Sequence, residues 1–229
     1  MITSTSSSQV KTVVSLQKKA KTRKETKQFV VEGMKMVSEV PQDRLVKVYF
    51  SESFAAANVS FLNKFAKEQT ELVSDIVFAQ MSDTKTPQGA LAIVKMAQYT
   101  VQDMMKDKPL LLLVENLQDP GNLGTIIRLA DWFGIEDIIC SQNTVDVYNP
   151  KTVQATMGGI ARVRVHYTSL PDFIRSQGKE IPVFGTFLDG QNMYEQPLSA
   201  NGLIVMGNEG NGIGKEVEAL INRKLYIPN

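Results

Sequence analysis

The sequence holds one cysteine, one histidine and one tryptophan in 229 residues, and each shortage removes a class of function. A lone Cys140 cannot close an internal disulfide, and with a lone His166 it cannot furnish the cysteine or histidine cluster of a metal site, so no metal is expected. Cys140 lies in an apolar stretch, where it packs as a small hydrophobe. His166 follows Arg162-Val-Arg-Val, a strand pattern, and reads as structural rather than catalytic. No apolar run approaches the ~18–20 residues a membrane helix needs. The N-terminus is Ser/Thr-rich and then basic, without the apolar core of a secretory signal, so no membrane partner and a cytoplasmic location are expected. Twenty-five Lys and Arg nearly balance 24 Asp and Glu, so an overall excess of positive charge is also missing.

The charge is unevenly placed, however. Lys11, Lys18, Lys19, Lys21, Arg23, Lys24 and Lys27 fall within one short stretch against only Glu25. Such density is an electrostatic footprint for phosphate, with Lys18, Lys19, Lys21, Arg23 and Lys24 as candidate contacts. A solvated, partly disordered tail would have the same composition, and the charges alone leave both readings open.

Periodicity divides the chain into a Ser/Thr-rich leader at 1–9, expected to be disordered, a domain at 10–95, a polar linker at 96–108 and a domain at 109–229. In the first domain a basic helix is predicted near 10–22. Strands follow at Gln28 to Glu32, Leu45 to Phe50, Asp75 to Ala79 and Ala90 to Val94, and helices at Met34 to Val40 and Phe54 to Gln69. In the second, strands at about 110–115, 136–140, 161–167, 182–187, 202–207 and 224–228 alternate with helices at 122–133, 150–158, 169–177 and 213–222. That alternation predicts an α/β fold with a mostly parallel sheet covered on both faces.

Two segments of the second domain carry chemistry. Asp119-Pro-Gly-Asn-Leu-Gly-Thr-Ile-Ile-Arg-Leu-Ala-Asp-Trp-Phe-Gly134 follows the apolar run Leu110 to Val114. Pro120 and Gly121 turn the chain, and Asn122 can cap the helix that starts there. Ile126, Ala130 and Phe133, with Ile127 beside them, form the predicted buried stripe, which turns Arg128 outward over the carboxyl end of a strand. The other segment, Leu203-Ile-Val-Met-Gly-Asn-Glu-Gly-Asn-Gly-Ile-Gly214, is an apolar strand entering a glycine-rich loop that carries Asn208 and Glu209. Gly207, Gly210, Gly212 and Gly214 suit close backbone approach to a ligand. A phosphate-binding P-loop is excluded, because Glu209 stands where its first glycine belongs and Glu216 where its Ser/Thr belongs; Gly121 to Gly124 likewise lacks the dinucleotide spacing.

The first segment, with Asn122, Gly124 and Arg128, resembles the first motif of the SpoU/TrmH family (SPOUT superfamily) of RNA ribose 2′-O-methyltransferases, and the second segment resembles its second motif. Phe29-Val-Val-Glu-Gly33 and Thr86-Pro-Gln-Gly89 resemble that family's small substrate-binding domain of ribosomal-protein-like α/β fold. Family members continue past Ile227-Pro228 with a Ser-Leu-Asn sequence and a last helix that completes a trefoil knot. This sequence ends at Asn229, so a chain truncated within the third motif, with knot and cofactor pocket incomplete, is expected.

The resemblance implies S-adenosyl-L-methionine as cofactor and RNA as partner, ribosomal RNA ahead of transfer RNA because of the added N-terminal domain. It implies a homodimer through the C-terminal domain. Arg128, Asn122 and Glu209 become the implied catalytic residues, and Gly207, Ile227, Thr186 and Asn208 the cofactor contacts. Family proposals make the arginine a general base. Because arginine stays protonated in proteins, a stabiliser of phosphate and developing alkoxide is the physically sounder role. Asn122 would orient Arg128 or the ribose, and Glu209 would fix the arginine or a loop amide. The alternative from another class is a catalytically silent RNA-binding protein of the same fold.

Overall fold

The computed structural model describes residues 1–99, 110–178 and 180–228. Its contacts divide the chain into two compact units, Met1–Gln98 with Tyr148–Ala161, and Tyr99–Val147 with Arg162–Asn229. Most of the expected linker, from residue 100 on, lies outside the described residues. The grouping of 148–161 with the first unit has a visible cause. The ring of Tyr148 packs on Phe29 at 4.7 Å, and the helix Pro150–Ala155 lies against the strand that carries Phe29.

In the first unit the strands are β1 (Gln28–Glu32), β2 (Leu45–Ser51), β3 (Thr70–Val73) and β4 (Ala90–Lys95), in sheet order β1-β4-β2-β3. Helices α1 (Ser8–Lys18), α2 (Ala20–Thr26), α3 (Met34–Glu39), α4 (Glu52–Ala57), α5 (Val59–Leu62) and α6 (Asp75–Met81) accompany them. Val10, Val13 and Leu16 recur at helical spacing, and α1 buries them against Val30, Tyr49, Val77, Phe78 and Leu91. Phe50, Phe54, Phe61 and Phe65 form a second apolar cluster, with ring centroids 5.3–6.0 Å apart.

Several expectations are corrected here. The leader is ordered at Ile2, which bridges Val73 in parallel and extends the sheet through Ile2 N–H to the Leu72 carbonyl at 2.8 Å. The single helix expected at Phe54 to Gln69 is broken into α4 and α5 where Asn58 leaves helical geometry. Asp75 to Ala79 is helical rather than extended. Its β-branched residues suggest a strand, but Val77, Phe78 and Met81 are buried at one-turn spacing while Ile76 faces solvent. Arg23, a candidate phosphate contact by sequence, is only 4% exposed. Its guanidinium donates to the carbonyls of Leu16 at 2.9 Å and Gln17 at 3.2 Å, closing the end of α1 where the helix breaks at Lys19.

The second unit is built on β5 (Leu110–Val114), β6 (Asp137–Ser141), β7 (Arg164–Thr168), β8 (Val183–Asn192), β9 (Gly202–Met206) and β10 (Arg223–Tyr226). Their order is β10-β8-β9-β5-β6-β7 and every pairing is parallel. With α7 (Pro120–Trp132), α9 (Leu170–Ser176) and α10 (Lys215–Glu218), and α8 (Pro150–Ala155) grouped with the first unit, this is the expected α/β fold with a mostly parallel sheet. Leu111, Leu113, Ile139, Leu203 and Val205 fill the core beneath Phe173, Ile174 and Val217. Cys140 is buried in β6, where burial pushes its thiol up to about 12, which leaves no nucleophilic thiolate. His166 packs in β7 near Asp137, which Arg164 holds through two 2.6 Å hydrogen bonds.

Arg23→Ala should destabilise the chain by about 1–3 kcal/mol in urea unfolding, because buried carbonyls at the end of α1 lose their donor. Lys24→Ala, on the exposed face of α2, should stay within about 0.5 kcal/mol of the parent.

Candidate functional site

Parallel pairing brings the carboxyl ends of all the strands in the second unit to one edge, and the site is built from the segments that continue from β5 and β9. Val114 pairs with Met206, and Glu115 N–H donates to the Met206 carbonyl at 2.8 Å. Both chains then turn. On the β9 side, Asn208 and Gly212 exchange backbone hydrogen bonds at 2.9 Å each, so Glu209, Gly210 and Asn211 form a tight tip. Gly212 has φ +65°, which a residue without Cβ adopts at low cost. At Gly207 a Cβ would collide with the backbone of Gly212 and Ile213, so the glycine is required for the loop to fold back on its own strand.

Asn208 shapes this loop. Its Oδ1 accepts from Gly210 N–H at 2.9 Å and Asn211 N–H at 3.0 Å, while its Nδ2 donates to the Asn116 carbonyl at 2.9 Å. Glu115 clasps the far end by accepting from Gly214 N–H at 2.8 Å. Asn116, in a left-handed conformation at φ 54°, is held by Ser141 Oγ, which accepts from its N–H at 2.8 Å.

On the β5 side, Asp119 rather than Asn122 caps α7, accepting from the Asn122 N–H at 2.7 Å with Pro120 in the first turn. The side chain of Asn122 is thereby left for another partner. Its Nδ2 donates to Glu209 Oε1 at 2.7 Å, joining residues 87 positions apart. Arg128 projects into solvent from α7 and has no hydrogen bond or ion pair among the described residues. It stands six residues beyond Asn122, about 120° around the helix and about 9 Å along it, which explains why the two do not meet. The buried stripe of α7 is Leu123, Gly124, Ile127 and Ala130. The predicted stripe errs at its end, since Phe133 follows the last helical residue and is 73% exposed, beside Trp132 at 84%.

Gly207 and Ile227 directly follow the carboxyl ends of β9 and β10, and Thr186 lies within β8, the strand between them in the sheet. Gly185 pairs with Val205, which sets Thr186 beside Met206, and the apolar side chain of Ile227 is half exposed. Lys18, Lys19, Lys21 and Lys24 are exposed in the first unit. Lys11, Lys18 and Lys19 border one groove of about 670 Å³ there. Among the described residues no group of His, Cys, Asp and Glu is placed to hold a metal ion. Glu115, Asn116 and Asp119 shape this edge through their hydrogen bonds and are missed by sequence reasoning as members of the candidate site. Their signal is an acid and an amide directly after a buried strand, followed by an acid before Pro-Gly.

An open parallel sheet with two polar loops meeting at its carboxyl edge defines a ligand-binding α/β protein. The residues 109–229 match the SpoU rRNA Methylase family, and residues 7–92 match the MRM3-like substrate binding domain. The chain belongs to the SpoU rRNA methylase family. It is 29% identical over 222 residues to the 23S rRNA (guanosine(2553)-2′-O)-methyltransferase RlmP of Bacillus subtilis, covering 92% of this chain and 85% of that protein. A putative RNA methyltransferase of the TrmH family from Porphyromonas gingivalis superposes with a TM-score of 0.80 at 35% identity, covering 100% of this chain and 90% of the other. An AdoMet-bound rRNA methyltransferase from Sinorhizobium meliloti gives a TM-score of 0.84 at 26% identity, covering 100% and 88%. Other curated relatives are longer, and the chain spans 58% and 41% of two of them.

Gly207→Ala should destabilise the protein by about 1–3 kcal/mol, because the added methyl meets backbone that cannot swing aside. Gly210→Ala, whose Cβ would meet only Asn208 Oδ1 at 3.6 Å, should be tolerated, and thermal unfolding of the pair is the check.

Proposed function

We propose that this chain methylates the 2′-hydroxyl of a ribose in RNA, with ribosomal RNA as the substrate class and S-adenosylmethionine as the methyl donor. The observation that carries the reading is the Asn122–Glu209 hydrogen bond, which brings two chemistry-bearing segments to the carboxyl edge of one parallel sheet. The edge suits the donor. Glu115 and Glu209 give it negative character beside a sulfonium, and half-exposed Ile227 offers apolar surface to an adenine. Gly207, Thr186 and Ile227 would hold the cofactor, with Asn208 keeping the loop closed. When bound, that cofactor supplies a methyl group activated on sulfur.

The chain's own residues then have separate tasks. Glu209 and Asn122 fix the loop against α7. Arg128, without a partner among the described residues, offers a planar fork to an RNA phosphate and to the ribose oxygen that becomes negative as its proton passes to water. Lys18, Lys19, Lys21 and Lys24 supply sequence-independent attraction to the phosphate backbone. The proposal includes a cytoplasmic location and a homodimer through the C-terminal domain. Leu129, Trp132 and Phe133, exposed together at the end of α7, support a second copy as their cover.

Arg128→Ala should lower turnover about 10²–10³-fold while leaving cofactor affinity unchanged, and Arg128→Lys should restore little because a point charge cannot replace the fork. Tritiated methyl transfer to ribosomal RNA, with calorimetry for the cofactor, separates the two effects. Replacing Lys18, Lys19, Lys21 and Lys24 by Gln should flatten the salt dependence of RNA binding by about 0.7–0.9 log unit for each phosphate no longer neutralised. An unchanged slope would remove these lysines from the interface. Trp132→Glu should shift the protein from dimer to monomer in sedimentation at micromolar concentration.

A further inference from the structure

The first unit contains a cavity of about 320 Å³ that the methyl-transfer chemistry does not use. Its walls include Val30, Pro150, Val153 and Ala155, and its polar lining comes from Gln17, Glu32, Asp83, Thr84, Lys151 and Gln154. Glu32 is 4% exposed and Gln17 8%. One oxygen of Glu32 is engaged, accepting from Ser82 Oγ at 2.7 Å, Thr84 Oγ1 at 3.1 Å and Gln88 N–H at 3.3 Å. The other, Oε2, has no hydrogen-bond partner among the described residues, and neither has Oε1 of Gln17. Two buried acceptors without donors on the wall of one cavity are costly unless something supplies N–H groups.

We propose that this cavity binds an unstacked guanine of the RNA, an inference that rests on the proposed RNA substrate. A base fits because its two flat faces need apolar walls and its edge needs polar partners. Guanine fits because its N1–H and N2–H groups are adjacent donors on the Watson–Crick edge, whereas adenine and cytosine offer a donor beside an acceptor and uracil a single donor. Single-stranded RNA bases are read this way, splayed from the stack with their edges hydrogen-bonded. The surroundings match the rest of a nucleotide. Lys151 is exposed at the cavity, and Lys18 and Lys19 follow Gln17 directly and border the neighbouring groove, so positive charge stands where phosphates would lie outside the pocket. A metal ion is a poorer occupant, since no group of carboxylates and other ligands suited to one occurs among the described residues.

The test uses guanosine, inosine and adenosine 5′-monophosphates as probes, followed through the methyl resonances of Val30 and Val153 in the whole protein. Guanosine monophosphate should give saturable shifts at millimolar concentration, inosine monophosphate weaker binding for want of the N2 amino group, and adenosine monophosphate none. Glu32→Gln should weaken the guanine nucleotide about tenfold or more, since a hydrogen bond to a charged acceptor is lost. Ala155→Phe, which adds a ring at another lining position and leaves Glu32 itself unchanged, should abolish the shifts even if Glu32→Gln fails to fold. Equal response to all three nucleotides, no saturable response, or persistence of the shifts in Ala155→Phe would each overturn the proposal. Because the readout requires no methyl transfer, guanine binding without enzymatic activity would sink the methyltransferase reading and leave this one standing.

Discussion

The in-register pairing of β5 with β9 is the constraint on which the site depends. Neither segment alone makes a site. Placed side by side with Val114 opposite Met206, they send Glu115 and Asn116 toward the loop 207–214 and bring α7 within reach of Glu209. Glu115 and Asn208 then fix the loop by accepting from its backbone N–H groups, and the Asn116 carbonyl holds the Asn208 side chain in place. Each is a modest interaction by itself, worth about 1 kcal/mol when exposed to competing water. Their effect lies in geometry, because a glycine-rich loop tied at both ends has lost the freedom that its sequence would otherwise give it.

The electrostatics divide along the same lines. Charged groups that hold the fold are engaged with partners: Arg23 on the last carbonyls of α1, Arg164 on Asp137, and Arg162 on Asp131 at 2.7 Å. Arg128 and the exposed lysines of the α1–α2 region differ, projecting into solvent, with Lys21 alone among Lys18, Lys19, Lys21 and Lys24 paired, to Glu25 at 3.8 Å, among the described residues. A guanidinium held this way reaches a phosphate with its donors free and its backbone already ordered, so less conformational entropy opposes binding.

Much of this is legible in the sequence because long apolar periods determine elements. The buried runs at Leu110 and Leu203, the helix between Pro120 and Trp132, and the alternation that demands a parallel sheet all emerge from local pattern. Tertiary choice among locally equivalent residues is not legible in the same way. Asp119 and Asn122 are both good helix caps, and only the position of Glu209, 87 residues beyond Asn122, decides that Asp119 caps while Asn122 reaches across. Arg23 looks like its neighbours in a basic run, yet the break at Lys19 turns it inward. Asp75 to Ala79 carries a strand's composition, but the segment buries Val77, Phe78 and Met81 at one-turn spacing and so packs as a helix. Phe133 satisfies the period of α7 and is still exposed, because the helix stops one residue before it.

The most direct measurement of the central claim is the chemical position of the transferred methyl. Alkali cleaves RNA through the 2′-hydroxyl, so a methylated ribose protects the bond on its 3′ side. After incubation of ribosomal RNA with the protein and methyl-labelled S-adenosylmethionine, complete alkaline hydrolysis should leave the label in an alkali-resistant dinucleotide. Label released in mononucleotides would place the methyl on a base and contradict the account, as would an absence of incorporation by protein that binds both RNA and cofactor.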